Sequence, residues 1–370
     1  MKKVLLAAFV AVFALVSCNK EDDGGIPTTK TVEVSIKSGA DIRAAGTAID
    51  GVGQENQINN WIAYAKNSTD ANYTAATATG AGSKVTFTSV PVGSTVYVVA
   101  NYTASLPTGT AVTLAQIEAA VESISKATLD LKTIALRTAV SNPLVGSMLM
   151  TGSASVLNAP MDATDTDKVK LTVGLDREYA KVNFTVMGSG GAAIPGVSIN
   201  SIDDISVHRV VNRVSMFKKQ NAEWYIVKTP AYVPDISANG GPSTTGASDY
   251  VFHFPTSGSG SKTSNFYVLP NYAGLDAYAT AVVVKANISG IIGGVTYTNA
   301  DRYFRAFVYD TDIAAERGIT LKNTIYNITA TINGAGEGDI PTVLENDNID
   351  LNVYVEVKKW NVRTTTVNMD

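Results

Sequence analysis

Two histidines, His208 and His253, are the only imidazoles in 370 residues, and Cys18 is the only thiol. Serine catalysis needs a base in reach of the nucleophile, and no Gly-x-Ser-x-Gly elbow accompanies either histidine. Each sits instead inside a β-type run, Ser206-Val207-His208-Arg209-Val210 and Tyr250-Val251-Phe252-His253-Phe254. Zinc-type sites need sulfur or paired imidazoles, and no His-x-x-x-His pair occurs. Asp162, Asp165 and Asp167 could crowd carboxylates around a calcium ion. That loop lacks the glycine and closing glutamate of an EF-hand, so it is read as a solvated acidic turn. Gly188, Gly190 and Ala193 formally match Gly-x-Gly-x-x-Ala, but Ile194-Pro195-Gly196 stands where a phosphate-binding helix would start. Carboxylate pairs for glycoside hydrolysis are defined by spatial separation, and nothing in the sequence marks one. The expectation is a protein that is not an enzyme, with no catalytic residue, no cofactor and no metal.

The elements that would otherwise position such residues are made from an apolar, weakly charged chain. Apolar residues are 45 % and charged residues 17 %, enough to build a core and far from a disordered composition. The net charge of −4 leaves no basic face for phosphates, so nucleic acid is not expected as a partner. The length favours two globular units.

Function-bearing signals concentrate at the two ends. Lys2 and Lys3 precede an apolar run at 4–16, followed by Ser17 and Cys18. This is the charged start, short apolar core and small-residue cleavage site of an export signal, too short for a span of about 20 residues. Leu15-Val16-Ser17-Cys18 resembles a lipobox, after which bacterial lipoproteins are cut and lipidated on the new N-terminal cysteine. Acyl chains at Cys18 would hold the precursor at a membrane, at about 0.8 kcal/mol per buried CH2. Asn19-Lys20-Glu21-Asp22-Asp23-Gly24-Gly25 is a polar, glycine-rich spacer, and resembles the acidic signals that direct some Gram-negative lipoproteins to the cell surface.

From Thr31 onward apolar residues alternate with a period of two, as in Val32, Val34, Ile36, in Val182, Phe184, Val186 and in Ile328, Ala330, Ile332. Gly, Asn, Ser and Pro clusters separate these runs, as turns between strands require. One segment differs: 113–126 places Leu114, Ile117, Val121 and Ile124 on one helical face, with Thr113 and Gln116 in capping-box positions. A further turn is expected at 314–317. The expected class is mainly β, as two β-rich domains of antiparallel strands with a short helix in the first. The expected divisions are 1–18 (signal), 19–43 (tether and first strand), 44–168 and 169–337 (the domains), and 338–370 (a C-terminal strand segment), the first domain boundary being placed in the polar stretch 158–168.

The C-terminal segment alternates over ten residues, with Ile349, Leu351, Val353, Val355 and Val357 on one face. Burying five such side chains is worth roughly 8–15 kcal/mol before ordering costs, so the strand must be received by a partner surface. That surface is either its own domain or the groove of another copy, by β-strand addition. Near the other end, the short strand 31–37 is followed by a small-residue stretch containing Arg43-Ala44, an exposed substrate for a trypsin-like protease. Cutting there would free the first strand and open an edge.

Several of these features together resemble the fimbrillins, the type V pilus subunits of Gram-negative gut and oral bacteria. The resemblance rests on the lipobox at Cys18, Arg43-Ala44, Met150-Thr151-Gly152, and Leu175-Asp176-Arg177-Glu178-Tyr179-Ala180-Lys181-Val182. It continues through Lys322-Asn323-Thr324-Ile325-Tyr326-Asn327-Ile328, Ile332-Asn333-Gly334-Ala335-Gly336 and the alternating C-terminus ending at Trp360. Lys322 and Thr324 depart from the Arg and His common in the family. The resemblance implies transthyretin-like sandwiches and a lipoprotein precursor carried to the outer membrane. It also implies cleavage after Arg43 by an Arg-specific protease, and a C-terminal strand donated to the vacated groove of a neighbour. The implied partners are other copies in a polymer and related anchor and tip subunits, and the implied site of the mature form is an extracellular fimbria supporting adhesion. Arg177 and Lys181 are read as solvated structural residues, and Tyr326 and Trp360 as packing. The alternative is a monomeric surface lipoprotein that binds a glycan or host protein, whose last strand pairs within its own chain.

Overall fold

The computed structural model describes residues 29–38, 57–123, 148–157, 167–188, 196–211, 213–217, 252–272, 279–310, 317–339 and 351–359. The first group of elements is β1 (Thr29–Ser38), β2 (Asn60–Lys66), β3 (Tyr73–Thr79), β4 (Val85–Pro91), β5 (Thr95–Ala100), α1 (Leu114–Glu118), β6 (Val121–Ser123), β7 (Met150–Ser155) and β8 (Lys168–Arg177). Seven of these strands form one sheet in the order β3-β2-β5-β7-β8-β1-β4. Its ends curl toward each other, so that β4 packs on β2 and β3 and the sheet encloses its own core. Val96, Val98 and Val173 lie in that core, and β2 is buried on both faces, so Trp61 and Tyr64, three residues apart, are both enclosed although they point to opposite sides.

The second group is β9 (Ala180–Val186), β10 (Val197–His208), β11 (Arg213–Ser215), β12 (Phe252–Pro255), β13 (Lys262–Val268), β14 (Asn271–Tyr272), β15 (Ala281–Ile292), β16 (Val295–Phe307), β17 (Ile319–Thr320), β18 (Thr324–Ile332) and β19 (Leu351–Lys359). Two four-stranded sheets arise, β12-β10-β15-β16 and β13-β9-β18-β19. Their inner faces meet, with Phe254 and Phe266 stacked across the gap at 5.6 Å between ring centroids. Two short ribbons, β11-β6 and β14-β17, complete the pairing among the described strands. The protein is mainly β, and all but two of the described pairings between strands are antiparallel; β1 with β8 and β18 with β9 run parallel.

One expected element is corrected. The helix ends at Glu118, capped by Thr113 and Gln116 as the sequence predicted, whereas 121–123 forms a strand against β11. The apolar residues Val121 and Ile124 had extended the helical period, but Ser215 and Val121 pair instead, and β-branched valine suits that extended backbone. The turn expected at 314–317 falls mostly outside the described residues.

Candidate assembly site

β1 is an interior strand. It pairs parallel with β8 over Thr31↔Lys168 to Ser38↔Leu175, and antiparallel with β4 through Val32↔Phe87, Glu33↔Thr86 and Val34↔Val85. Val32 and Val34 are 0 % exposed and Ile36 7 %, so the inward face fills three successive positions of the core. The outward face is polar. Ser35 Oγ lies 3.1 Å from Thr172 Oγ1, and Lys84 Nζ donates to Glu33 Oε1 at 2.8 Å. That hydrogen bond holds the Glu33 carboxyl below the usual carboxylate range, against a smaller opposing push from burial. The pair is exposed and contributes little to stability. Thr31 N–H adds a bond to Asp167 O at 2.8 Å, fixing the start of the strand. Removing such a strand would uncover a groove with unpaired backbone groups on both walls.

The C-terminal strand is held differently. β19 stands at the edge of its sheet and pairs on one side with β18, from Thr324↔Lys359 to Ile332↔Leu351. Leu351, Val353, Val355 and Val357 therefore stand in a strand within their own chain. Cys18, Arg43, Ala44 and Ile349 lie outside the described residues. Between β18 and β19, the loop at 333–337 is anchored by Arg302, which donates Nε to Ala335 O at 2.7 Å and Nη2 to Gly336 O. Gly336 has φ +62°, and a Cβ there would stand 2.7 Å from Tyr303 O and from the Phe304 ring, so only glycine fits.

The remaining motif residues gather at the junction of the two strand groups. Glu178, just after β8, is 1 % exposed and accepts from Lys322 Nζ at 2.5 Å and from the Thr151 hydroxyl. Asn323, in the left-handed region at φ 50°, receives its shape from a carboxylate and two carbonyls: Nδ2 donates to Asp176 Oδ1 at 2.8 Å, and its backbone N–H faces the carbonyls of Arg177 and Tyr179. The Leu175–Val182, Met150-Thr151-Gly152 and Lys322-Asn323 motifs are thus one clasp joining the sheets. Arg177 and Lys181, expected in solvent, are 2 % and 6 % exposed. Sequence parity placed them on one strand face, but Arg177 ends β8 whereas Lys181 lies in β9, between β13 and β18. Tyr326 is fully buried, and its hydroxyl accepts from Leu321 N–H at 2.8 Å.

Burial pushes the Glu178 carboxyl up, opposed by the Lys322 ammonium and the Thr151 hydroxyl. Lys322→Met removes the cation and leaves the buried carboxylate uncompensated. The expected loss is about 3 kcal/mol at neutral pH, the low end for a broken buried pair because Lys322 is one-third exposed. A group whose folded pKa is raised gives stability below its unfolded value that is lost as pH rises through the folded value. The variant should therefore recover stability relative to the parent as pH falls from 7 toward the carboxyl's ordinary 4.5, measurable by urea unfolding across that window.

His208 is sealed from solvent, with Nε2 2.8 Å from Ser206 Oγ, so this serine-histidine pair meets no substrate. Among the described residues no helix is long and apolar enough to cross a membrane.

No protein-family model and no curated protein matches the sequence. The fold does match solved structures. A fimbrilin from Porphyromonas gingivalis superposes with a TM-score of 0.52 at 16 % identity, covering 92 % of this chain and 100 % of that one. A cell adhesion candidate from Parabacteroides distasonis gives 0.54 at 13 % identity, with 90 % and 100 % covered. Another from Bacteroides eggerthii gives 0.50 at 18 % identity, with 92 % and 98 % covered. The chain has the fold of these fimbrilin and adhesion structures over nearly its whole length.

Proposed function

We propose that the chain is a structural subunit of a surface fimbria, made as an outer-membrane lipoprotein precursor lipidated on Cys18. Cleavage between Arg43 and Ala44 by an Arg-specific protease releases β1, and the C-terminal strand of another copy, with Ile349, Leu351, Val353, Val355 and Val357 as its apolar face, enters the vacated place. The polymer so formed supports adhesion, with related anchor and tip subunits at its ends. The observation that carries this reading is the contrast between the two strands. β1 is bonded on both sides and lies in the chain just before Arg43, whereas among the described residues β19 is bonded on one side only. A strand that moves from an edge into a two-walled groove gains a second ladder of hydrogen bonds, each worth about 1 kcal/mol net, so exchange runs downhill once the groove is open. The domain divisions that accompany this reading assign β1 to the removed segment 19–43, the two domains to 44–168 and 169–337, and the donated strand to 338–370.

The monomeric alternative, a surface lipoprotein binding a glycan or host protein, is favoured by one observation: β19 pairs with β18 of its own chain. In the exchange reading that pairing is the parked state of the uncut precursor. Arg43→Gln separates the two. The parent chain, treated with trypsin, is expected to form a ladder on an unheated SDS gel, and the Arg43→Gln chain to stay monomeric under the same treatment. Equal ladders from both chains would show that the Arg43 bond does not gate assembly.

A further inference from the structure

We propose that the incoming strand takes a single register, with Val353, Val355 and Val357 in the places of Val32, Val34 and Ile36. This rests on the exchange reading above and specifies the partner contact within it. β1 runs parallel to β8 and antiparallel to β4, and the incoming strand takes the same direction. The two strands then align as near copies: Thr31-Val32-Glu33-Val34-Ser35-Ile36-Lys37 against Asn352-Val353-Tyr354-Val355-Glu356-Val357-Lys358. Two of the three inward residues are identical and the third, valine for isoleucine, is one methylene smaller.

Other registers fail on named residues. A slip of one residue turns the apolar face outward. A slip of two in one direction puts Leu351 where Val32 is fully buried, overfilling a close-packed position. A slip of two in the other direction puts Lys359 where Ile36 is 7 % exposed, burying an ammonium among valines. In the proposed register Lys358 replaces Lys37 and keeps its charge. Tyr354 stands where Glu33 stood, opposite Lys170 and Thr86, and Glu356 stands opposite Thr172. The Glu33–Lys84 ion pair therefore belongs to the uncut subunit and disappears on assembly.

Cysteine pairing in the full chain reads the register. Glu356→Cys combined with Thr172→Cys places the two sulfurs on neighbouring strands, within disulfide reach only between subunits. In the uncut chain position 356 pairs with Asn327 and position 172 with Ser35. After the cut, which also removes Cys18, mild oxidation is expected to give a ladder that survives heating without reductant and collapses to single subunits with it. Companion chains carry Glu356→Cys with Lys170→Cys or with Gly174→Cys, the positions that the two-residue slips would match. A heat-resistant ladder from either companion in place of the Thr172 pair overturns the register while leaving exchange intact. Absence of even a heat-labile ladder in all three, with the parent chain also monomeric after a confirmed cut, overturns both.

Discussion

A disulfide between Ser35→Cys and Thr172→Cys is expected to abolish polymerisation completely until it is reduced. The two hydroxyl oxygens lie 3.1 Å apart on adjacent parallel strands, so the sulfurs can bond with little backbone movement. The staple ties β1 to β8, and cleavage after Arg43 then severs the chain without freeing the strand. Closing a loop of 137 residues should also raise the stability of the uncut chain, by up to about 5 kcal/mol. The oxidised chain should therefore melt no lower than the parent, run as a monomer on an unheated SDS gel after cleavage, and form a ladder once reductant is added. A ladder that appears with the staple intact would mean that β1 is not the strand replaced.

The second large effect is expected from a chain ending at Gly338. Without β19, β18 becomes the edge of its sheet and loses nine paired positions, but it keeps β9 on its other side. Its inward residues Tyr326, Ile328, Ala330 and Ile332 are 0 %, 1 %, 0 % and 1 % exposed in the core between the two sheets. The shortened chain should melt lower than the parent, still in a cooperative transition, and after cleavage it should give no ladder at all. Mixed with cleaved parent chain, it should cap growing polymers, because its groove accepts a strand while it has none to donate. If the shortened chain instead fails to fold, the last strand is part of its own domain and the monomeric lipoprotein is the better account.

Much of the fold was legible because alternation is a local signal. Val32, Val34 and Ile36, or Val182, Phe184 and Val186, announce a strand with one buried face, and each of these residues is buried. The capping box at Thr113 and Gln116 was equally local and formed as expected. What the sequence did not carry was partner and direction. Nothing in 31–37 says that β8, more than 130 residues on, would lie parallel to it, and parity cannot distinguish an edge strand such as β19 from an interior one such as β1. The helix was overextended for the same reason: Val121 fits a helical period and a strand equally, and β11 decided between them. Glu178 and Lys322 appeared as parts of separate motifs, and only folding brought their charges to 2.5 Å. The candidate site was legible as two suspicious ends of one chain, but the place of β1 between β8 and β4 was not.

The most direct measurement is the unheated SDS gel of the exported full-length chain before and after limited cleavage by an Arg-specific protease, with the new N-terminus confirmed as Ala44 by sequencing. The account predicts monomer before the cut, a ladder after it, and collapse of that ladder to a single band on heating. A chain that stays monomeric after a confirmed cut at Arg43 would contradict it.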